Sequence, residues 1–166
     1  MIGVVGHTDL TARTLRRLAR ELPVLLRESA GECAGAVVRA GAGLPLLAAR
    51  AARRVGLPVV VALPWLGGRP AGLAGQDAVA AGELLMLAAF ARPLSYDPHD
   101  RAACIAADEG LVRNCARLVA VWDGSHSDGQ DATAHLVAYA RAHRVRVDVH
   151  WPRYARRAVS LPGVGD

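Results

Sequence analysis

Residues 118–133 read LVAVWDGSHSDGQDAT, and these sixteen positions carry three signals in a row. Val119, Ala120, Val121 and Trp122 form a short apolar run, the pattern of a strand covered on both faces of a parallel sheet. Asp123-Gly124 ends the run, and Ser125 to Asp131 are all small or polar. Ala132, Leu136, Tyr139 and Ala140 then recur at helical spacing, with Asp131 placed to cap the helix. The peptide reads strand, loop, helix.

In an open α/β sheet such a loop lies at the carboxyl edge of the strands, where ligands bind. The free N–H groups of the following helix attract anions there. Gly129, Thr133 and the amides around Asp131 are therefore candidate phosphate donors, and Asp123 a candidate acceptor for a ribose or base. Asp123-Gly124 reads equally well as a turn in which the carboxylate bonds its own backbone.

AVWDG, the loop with Gly129, Asp131-Ala132-Thr133 and the helix ending in VAYAR resemble the SLOG superfamily. These Rossmann-like nucleotide-binding domains are related to the Lonely Guy phosphoribohydrolases and to the DNA-processing protein DprA. The family's fuller loop is G-G-x-G-T followed closely by an acid. Here it is reduced to Asp128-Gly129-Gln130-Asp131-Ala132-Thr133, and His135 stands where the acid would fall. The resemblance implies strand order 3-2-1-4-5, a nucleotide-type ligand and a homodimer.

Upstream, IGVVG (2–6) reads as a first strand that ends in Gly6-His7-Thr8, and Thr8 or Asp9 is placed to cap the next helix. Leu15, Leu18, Leu22 and Leu25 share one face of that helix, while Arg13, Arg16, Arg17 and Arg20 take the other. A glycine at the first βα junction lets a ligand approach the backbone, which makes Gly6, His7 and Thr8 candidate contacts. A turn histidine with no ligand fits the same pattern. A second strand is expected at 34–39, followed by Ala40-Gly41-Ala42-Gly43 and a helix from about Pro45. Gly41 and Gly43 join the candidate set, with a plain tight turn as the alternative. No loop satisfies G-x-G-x-x-G, which argues against a dinucleotide-dependent dehydrogenase.

LPVVVAL (57–63) is the strongest strand signal in the chain. Pro64, Gly67, Gly68, Pro70, Gly72 and Gly75 then predict a loop, a possible lid, before an apolar helix over 76–91. Asp97-Pro98 predicts the start of a helix reaching residue 117, and VRVDVH (145–150) alternates like an edge strand. Five strand–helix alternations give a three-layer α/β sandwich with a parallel sheet. One domain over 1–152 is expected, with 153–166 as a frayed tail.

All twenty basic residues are arginine, against fifteen acids, for a net charge of +5. Such a balance suits anionic ligands and equally a solvated arginine surface. The start MIGVVGH has no basic region ahead of its apolar run, so a cytoplasmic location is expected, and no apolar stretch is long enough for a membrane span. Cys33, Cys104 and Cys115 match no metal-ligand spacing and read as reduced thiols. Neither a metal nor a bound cofactor is expected.

Three functions follow. The first is binding of a nucleotide or nucleotide-derived molecule at the sheet's carboxyl edge. The second is hydrolysis of a nucleoside monophosphate's N-glycosidic bond, whose oxocarbenium-like transition state wants a carboxylate beneath the sugar. Glu83 and Glu109 are the candidates for that role, though each also fits a solvated helix face. The third is DprA-like binding of single-stranded nucleic acid, disfavoured by an aromatic content of 4% that leaves few stacking platforms.

Overall fold

The computed structural model describes residues 1–31, 33–127 and 131–158. β1 (Ile2–Gly6) leads into α1 (Ala12–Ala30), and β2 (Ala36–Arg39) into α2 (Leu44–Arg54). β3 (Val59–Leu66) turns into the two-residue β4 (Arg69–Pro70), then come α3 (Gly75–Leu87) and β5 (Phe90–Leu94). α4 (Arg101–Arg113), β6 (Arg117–Val121), α5 (Thr133–Ala142) and β7 (Arg146–His150) complete the order.

The apolar strands pair in parallel, as their two-sided burial requires. β1 lies between β2 and β6, β3 pairs outside β2, and β7 outside β6. The expected five-strand order needs correction. Among the described residues the sheet has seven strands, because β5 adds in parallel to β3 and β4 pairs antiparallel with the end of β3. FARPL carries an arginine and a proline, so it does not read as a strand, yet its place at the sheet edge tolerates both. The breaker-rich stretch conceals a hairpin. Pro64-Trp65-Leu66 continue β3, and Gly67 and Gly68, both at positive φ (56° and 78°), make the two-residue turn to β4.

Helix ends also shift. Thr11, rather than Thr8 or Asp9, caps α1, its hydroxyl accepting from Thr14 N at 3.3 Å. α3 stops at Leu87, because Ala88 is extended and the chain enters β5. Asp97 forms a turn with its carboxylate on the His99 amide, and Asp100 caps α4 three residues later. Arg117, expected at the end of that helix, opens β6.

One layer packs α1 and α2 over β1, β2 and β3 around the fully buried Leu18, Leu22 and Leu26, with Leu84 of α3 joining them. Each such side chain contributes about 1.5–3 kcal/mol relative to exposure. On the opposite face, Leu111 and Val112 of α4 and Ala140 of α5 cover Val37, Ala62 and Leu118. The wet side of α1 is arginine as expected, with Arg13, Arg16, Arg17 and Arg20 all exposed.

Of the expected tail over 153–166, residues 159–166 lie outside the described residues, and 153–158 bond to the turn after β1. Thr11 N donates to Arg156 O at 3.2 Å, Arg156 N donates to Thr14 Oγ1 at 2.8 Å, and the Arg157 guanidinium grips Asp9 at 2.9 and 3.0 Å. Among the described residues, no helix is long and apolar enough to cross a membrane.

Candidate functional site

The parallel strands all end on one edge, and the loops there surround a cleft of about 600 Å³. Gly6, His7 and Thr8 after β1, Gly41 and Gly43 after β2, and Asp131 and Thr133 at the start of α5 all line it. Seven residues singled out in three separate loops thus share one wall system. Asp123 and Gly124 follow β6 and are not part of the lining, and Gly129 lies outside the described residues.

His7 organises the edge. Its side chain is fully buried, with Nδ1 2.6 Å from Asp131 Oδ2 and Nε2 2.9 Å from Asp123 Oδ1. Trp151, just beyond β7, meets the imidazole edge-on at 5.5 Å. Burial alone would lower the His7 pKa, but the bonds and charges of Asp131 and then Asp123 outweigh it and raise the pKa above the usual value. Burial pushes the two carboxyls up as well, and their bonds reverse that. Asp123 falls to about 2 through Ser125 and His7, and Asp131 is lowered through His7 and Thr133. The carboxylates beside the two His7 nitrogens are what favour the protonated ring, and the Asp123 backbone N also approaches Nε2, at 3.3 Å.

The start of α5 is correspondingly occupied. Asp131 Oδ1 accepts the Thr133 amide at 3.2 Å and its hydroxyl at 2.6 Å, and Thr133 is buried. Asp131 sits one residue ahead of the cap position, yet its carboxylate does a cap's work. The place an anion would take at this helix end is filled by the chain's own carboxylate.

The β2 side of the cleft is more open. No side chain caps α2 at Gly43, and Asp77 at the start of α3 accepts the Ala42 amide at 2.8 Å. Arg39, Asp77, Arg101 and Asp108 all line the cleft. Arg39 Nε donates to Asp108 Oδ1 at 2.7 Å, and burial raises the Asp108 pKa with partial offset from Arg39. Reading the sequence missed these four. The available signal was Arg39 itself, a charge closing an otherwise apolar strand immediately before a glycine loop.

Gly6 has a packing reason to be glycine. An added Cβ would sit 2.6 Å from Val121 O and 2.6 Å from Leu44 Cδ2, so no side chain fits between β1, β6 and α2. Glu83 and Glu109 do not line the cleft. Arg50 holds Glu83 through paired bonds of 2.6 and 2.7 Å on the helix surface, and Glu109 Oε1 lies 2.6 Å from His135 Nε2. His135 is half-exposed there. Among the described residues, no group of three or more His, Cys, Asp and Glu side chains is arranged to hold a metal ion.

No family model and no curated protein matches this chain. Solved structures do. The molybdenum cofactor carrier protein of Chlamydomonas reinhardtii aligns with a TM-score of 0.51 at 20% identity, over 89% of this chain and 74% of that one. The structural-genomics target TM1055 gives 0.51, 20%, 89% and 72%. The chain shares the Rossmann-like α/β fold of these two proteins. The resemblance carried by AVWDG and DAT is thereby matched in three dimensions. At the ligand edge of this fold the Asp123–His7–Asp131 clamp ties the ends of β1 and β6 to the start of α5.

Proposed function

We propose that this SLOG-type domain binds a nucleotide or nucleotide-derived small molecule in the cleft at the carboxyl edge of its sheet. The observation that carries the reading is the cleft itself. Its volume of about 600 Å³ falls within the ~300–1,000 Å³ of small-molecule sites, and it opens where parallel α/β sheets take ligands. The uncapped start of α2 and the Arg101 guanidinium both border it, which favours an anionic group on the β2 side. A protein of the same fold is named as a carrier of the molybdenum cofactor, a binding role rather than a reaction.

Hydrolysis of an N-glycosidic bond has less support. The two glutamates suited to it are engaged with Arg50 and His135 outside the cleft lining.

Titration calorimetry with adenosine and adenosine monophosphate, repeated with guanosine and its monophosphate, tests the proposal. The expected result is tighter binding of a monophosphate than of its nucleoside. Arg101→Glu should weaken the monophosphate at least tenfold and the nucleoside little. No heat or thermal stabilisation with any nucleotide at millimolar concentration would overturn the reading.

A further inference from the structure

α4 turns one face to the cleft, and the residues on that face change in kind along the helix. Arg101, Cys104, Ile105, Asp108, Leu111 and Val112 recur at helical spacing, and all line the cavity. Arg101 opens the helix and is exposed, Ile105 is apolar, and the Cys104 thiol is turned to the carbonyls of Asp97 and Pro98. Asp108 follows Arg101 on the same face after about two turns, roughly 10 Å along the axis. A cation, an apolar middle and a carboxylate thus succeed one another along the wall.

The three carboxylates of the cleft lining differ in what they still need. Asp77 is exposed and takes the Ala42 amide, while Asp131 is buried and takes His7 and Thr133. Asp108 is neither exposed nor filled. Its side chain is 16% exposed, and among the described residues its one hydrogen bond is from Arg39 Nε to Oδ1, at 2.7 Å. Arg39 ends β2 and lines the same cavity. An ion pair this enclosed repays its desolvation only when the remaining lone pairs are also bonded. Asp108 has lone pairs left on both oxygens, at the wall of a ligand cleft.

We propose that Arg39 and Asp108 read the base of the ligand and select guanine. The inference rests on the nucleotide reading above and adds which end of the molecule lies where. Guanine's Watson–Crick edge carries one acceptor, O6, followed by two adjacent donors, N1–H and N2–H2. Arg39 donates to the acceptor, and the Asp108 carboxylate takes both donors. Adenine offers one donor and one acceptor, and neither pyrimidine has two donors side by side, so guanine makes the most bonds to this pair. With the base at Asp108, the sugar lies along Ile105 and the phosphate reaches Arg101 and the uncapped start of α2.

Titration calorimetry of the full chain at pH 8 with guanosine, inosine and adenosine monophosphates tests this. Inosine monophosphate keeps O6 and N1–H but lacks the 2-amino group. The guanine nucleotide should bind about tenfold more tightly than the hypoxanthine one, the effect of one hydrogen bond to a charged group, and more tightly still than the adenine one. In Asp108→Asn the advantage of guanine over hypoxanthine should disappear. Arg39→Met should weaken those two nucleotides by the same factor, since both carry O6, and Arg101→Glu should weaken all three alike, since they share the phosphate. Each comparison is between ligands on one protein, so a variant's lower stability does not move it. If a variant fails to fold, the native series decides alone. Equal affinity of the native chain for guanine and adenine nucleotides overturns the inference and leaves the cleft a nucleotide site, whereas no binding of any of the three overturns both. A guanine preference that survives Asp108→Asn unchanged overturns the inference as well, because the base is then read elsewhere.

Discussion

His7 Nδ1 lies 2.6 Å from Asp131 Oδ2, so a residue of the first loop is bonded across 124 positions to a residue just ahead of the last helix. Its other nitrogen reaches Asp123 at 2.9 Å, and the ring holds the ends of β1, β6 and α5 in one arrangement. Because the ring is fully buried, protonating it depends on the two carboxylates that face it.

That clamp has a pH dependence of definite sign. The His7 pKa is raised in the folded chain, so its contribution is fully present below the unfolded value of about 6.5 and is lost as pH rises through the folded value. The carboxyls act at the other end. Asp123, lowered to about 2, contributes above its unfolded value near 3.8 and loses that contribution as pH falls toward 2. Urea denaturation at pH 6 and pH 9 should show native stability falling with alkalinity, and the gap between native and His7→Gln chains should narrow. An equal gap at both pH values would show that His7 is not held as a cation.

The two carboxylates should differ in weight. Asp131 is buried and serves both His7 and Thr133, whereas the Asp123 side chain is 24% exposed. Asp131→Asn is expected to cost about 3 kcal/mol, because its Oδ1 can still accept from Thr133 but an uncharged NH2 replaces the carboxylate oxygen that faces the buried His7 Nδ1. Asp123→Asn should cost less, about 1–2 kcal/mol, since water can replace part of what is lost. Denaturation midpoints of the two variants, measured together at pH 6, rank them.

Much of the scaffold was legible in the sequence, and the reasons are local. IGVVG, LPVVVAL and VAVW are short, apolar and bounded by breakers, so burial on both faces was their only stable use. The glycine loops after the first two strands and the DAT helix start followed from strand-to-helix spacing, which placed seven cleft residues. What escaped detection depends on distance. Nothing within ten residues of His7 marks it as the partner of Asp123 and Asp131, and Arg39 and Asp108 meet only because β2 and α4 fold together. β5 escaped because an edge strand needs no apolar alternation, and its arginine and proline hid it.

Glu83 offers a test of the hydrolytic alternative. It is 42% exposed and paired with Arg50, itself 51% exposed, so Glu83→Ala should change stability by under about 0.5 kcal/mol and leave nucleotide binding within twofold. Chromatography of nucleoside monophosphates after incubation supplies the second half of the check. Rapid release of free base that Glu83→Ala abolishes would place this residue at a reacting sugar, despite its distance from the cleft lining.

Thr133 separates direct from indirect control of the ligand. Its place at a helix start in the DAT motif suggests a phosphate donor, but the hydroxyl is buried and committed to Asp131 at 2.6 Å. If it acts through Asp131, Thr133→Val should cost about 1–2 kcal/mol of stability by leaving one carboxylate oxygen short of a partner. It should also weaken nucleoside and nucleotide by similar factors, because the wall of the cleft loosens for both. Thr133→Ser keeps the hydroxyl and should restore most of the stability. A direct phosphate contact predicts a different pair of results, with nucleotide affinity falling at least tenfold while nucleoside affinity and the denaturation midpoint stay put. Thr133→Glu adds the electrostatic arm. A second carboxylate beside Asp131 repels the charge already there, so the clamp itself should weaken, with the loss of stability appearing before any ligand is added. Calorimetry of the three variants against one nucleoside and its monophosphate, run beside urea denaturation of each, distinguishes the two roles of Thr133.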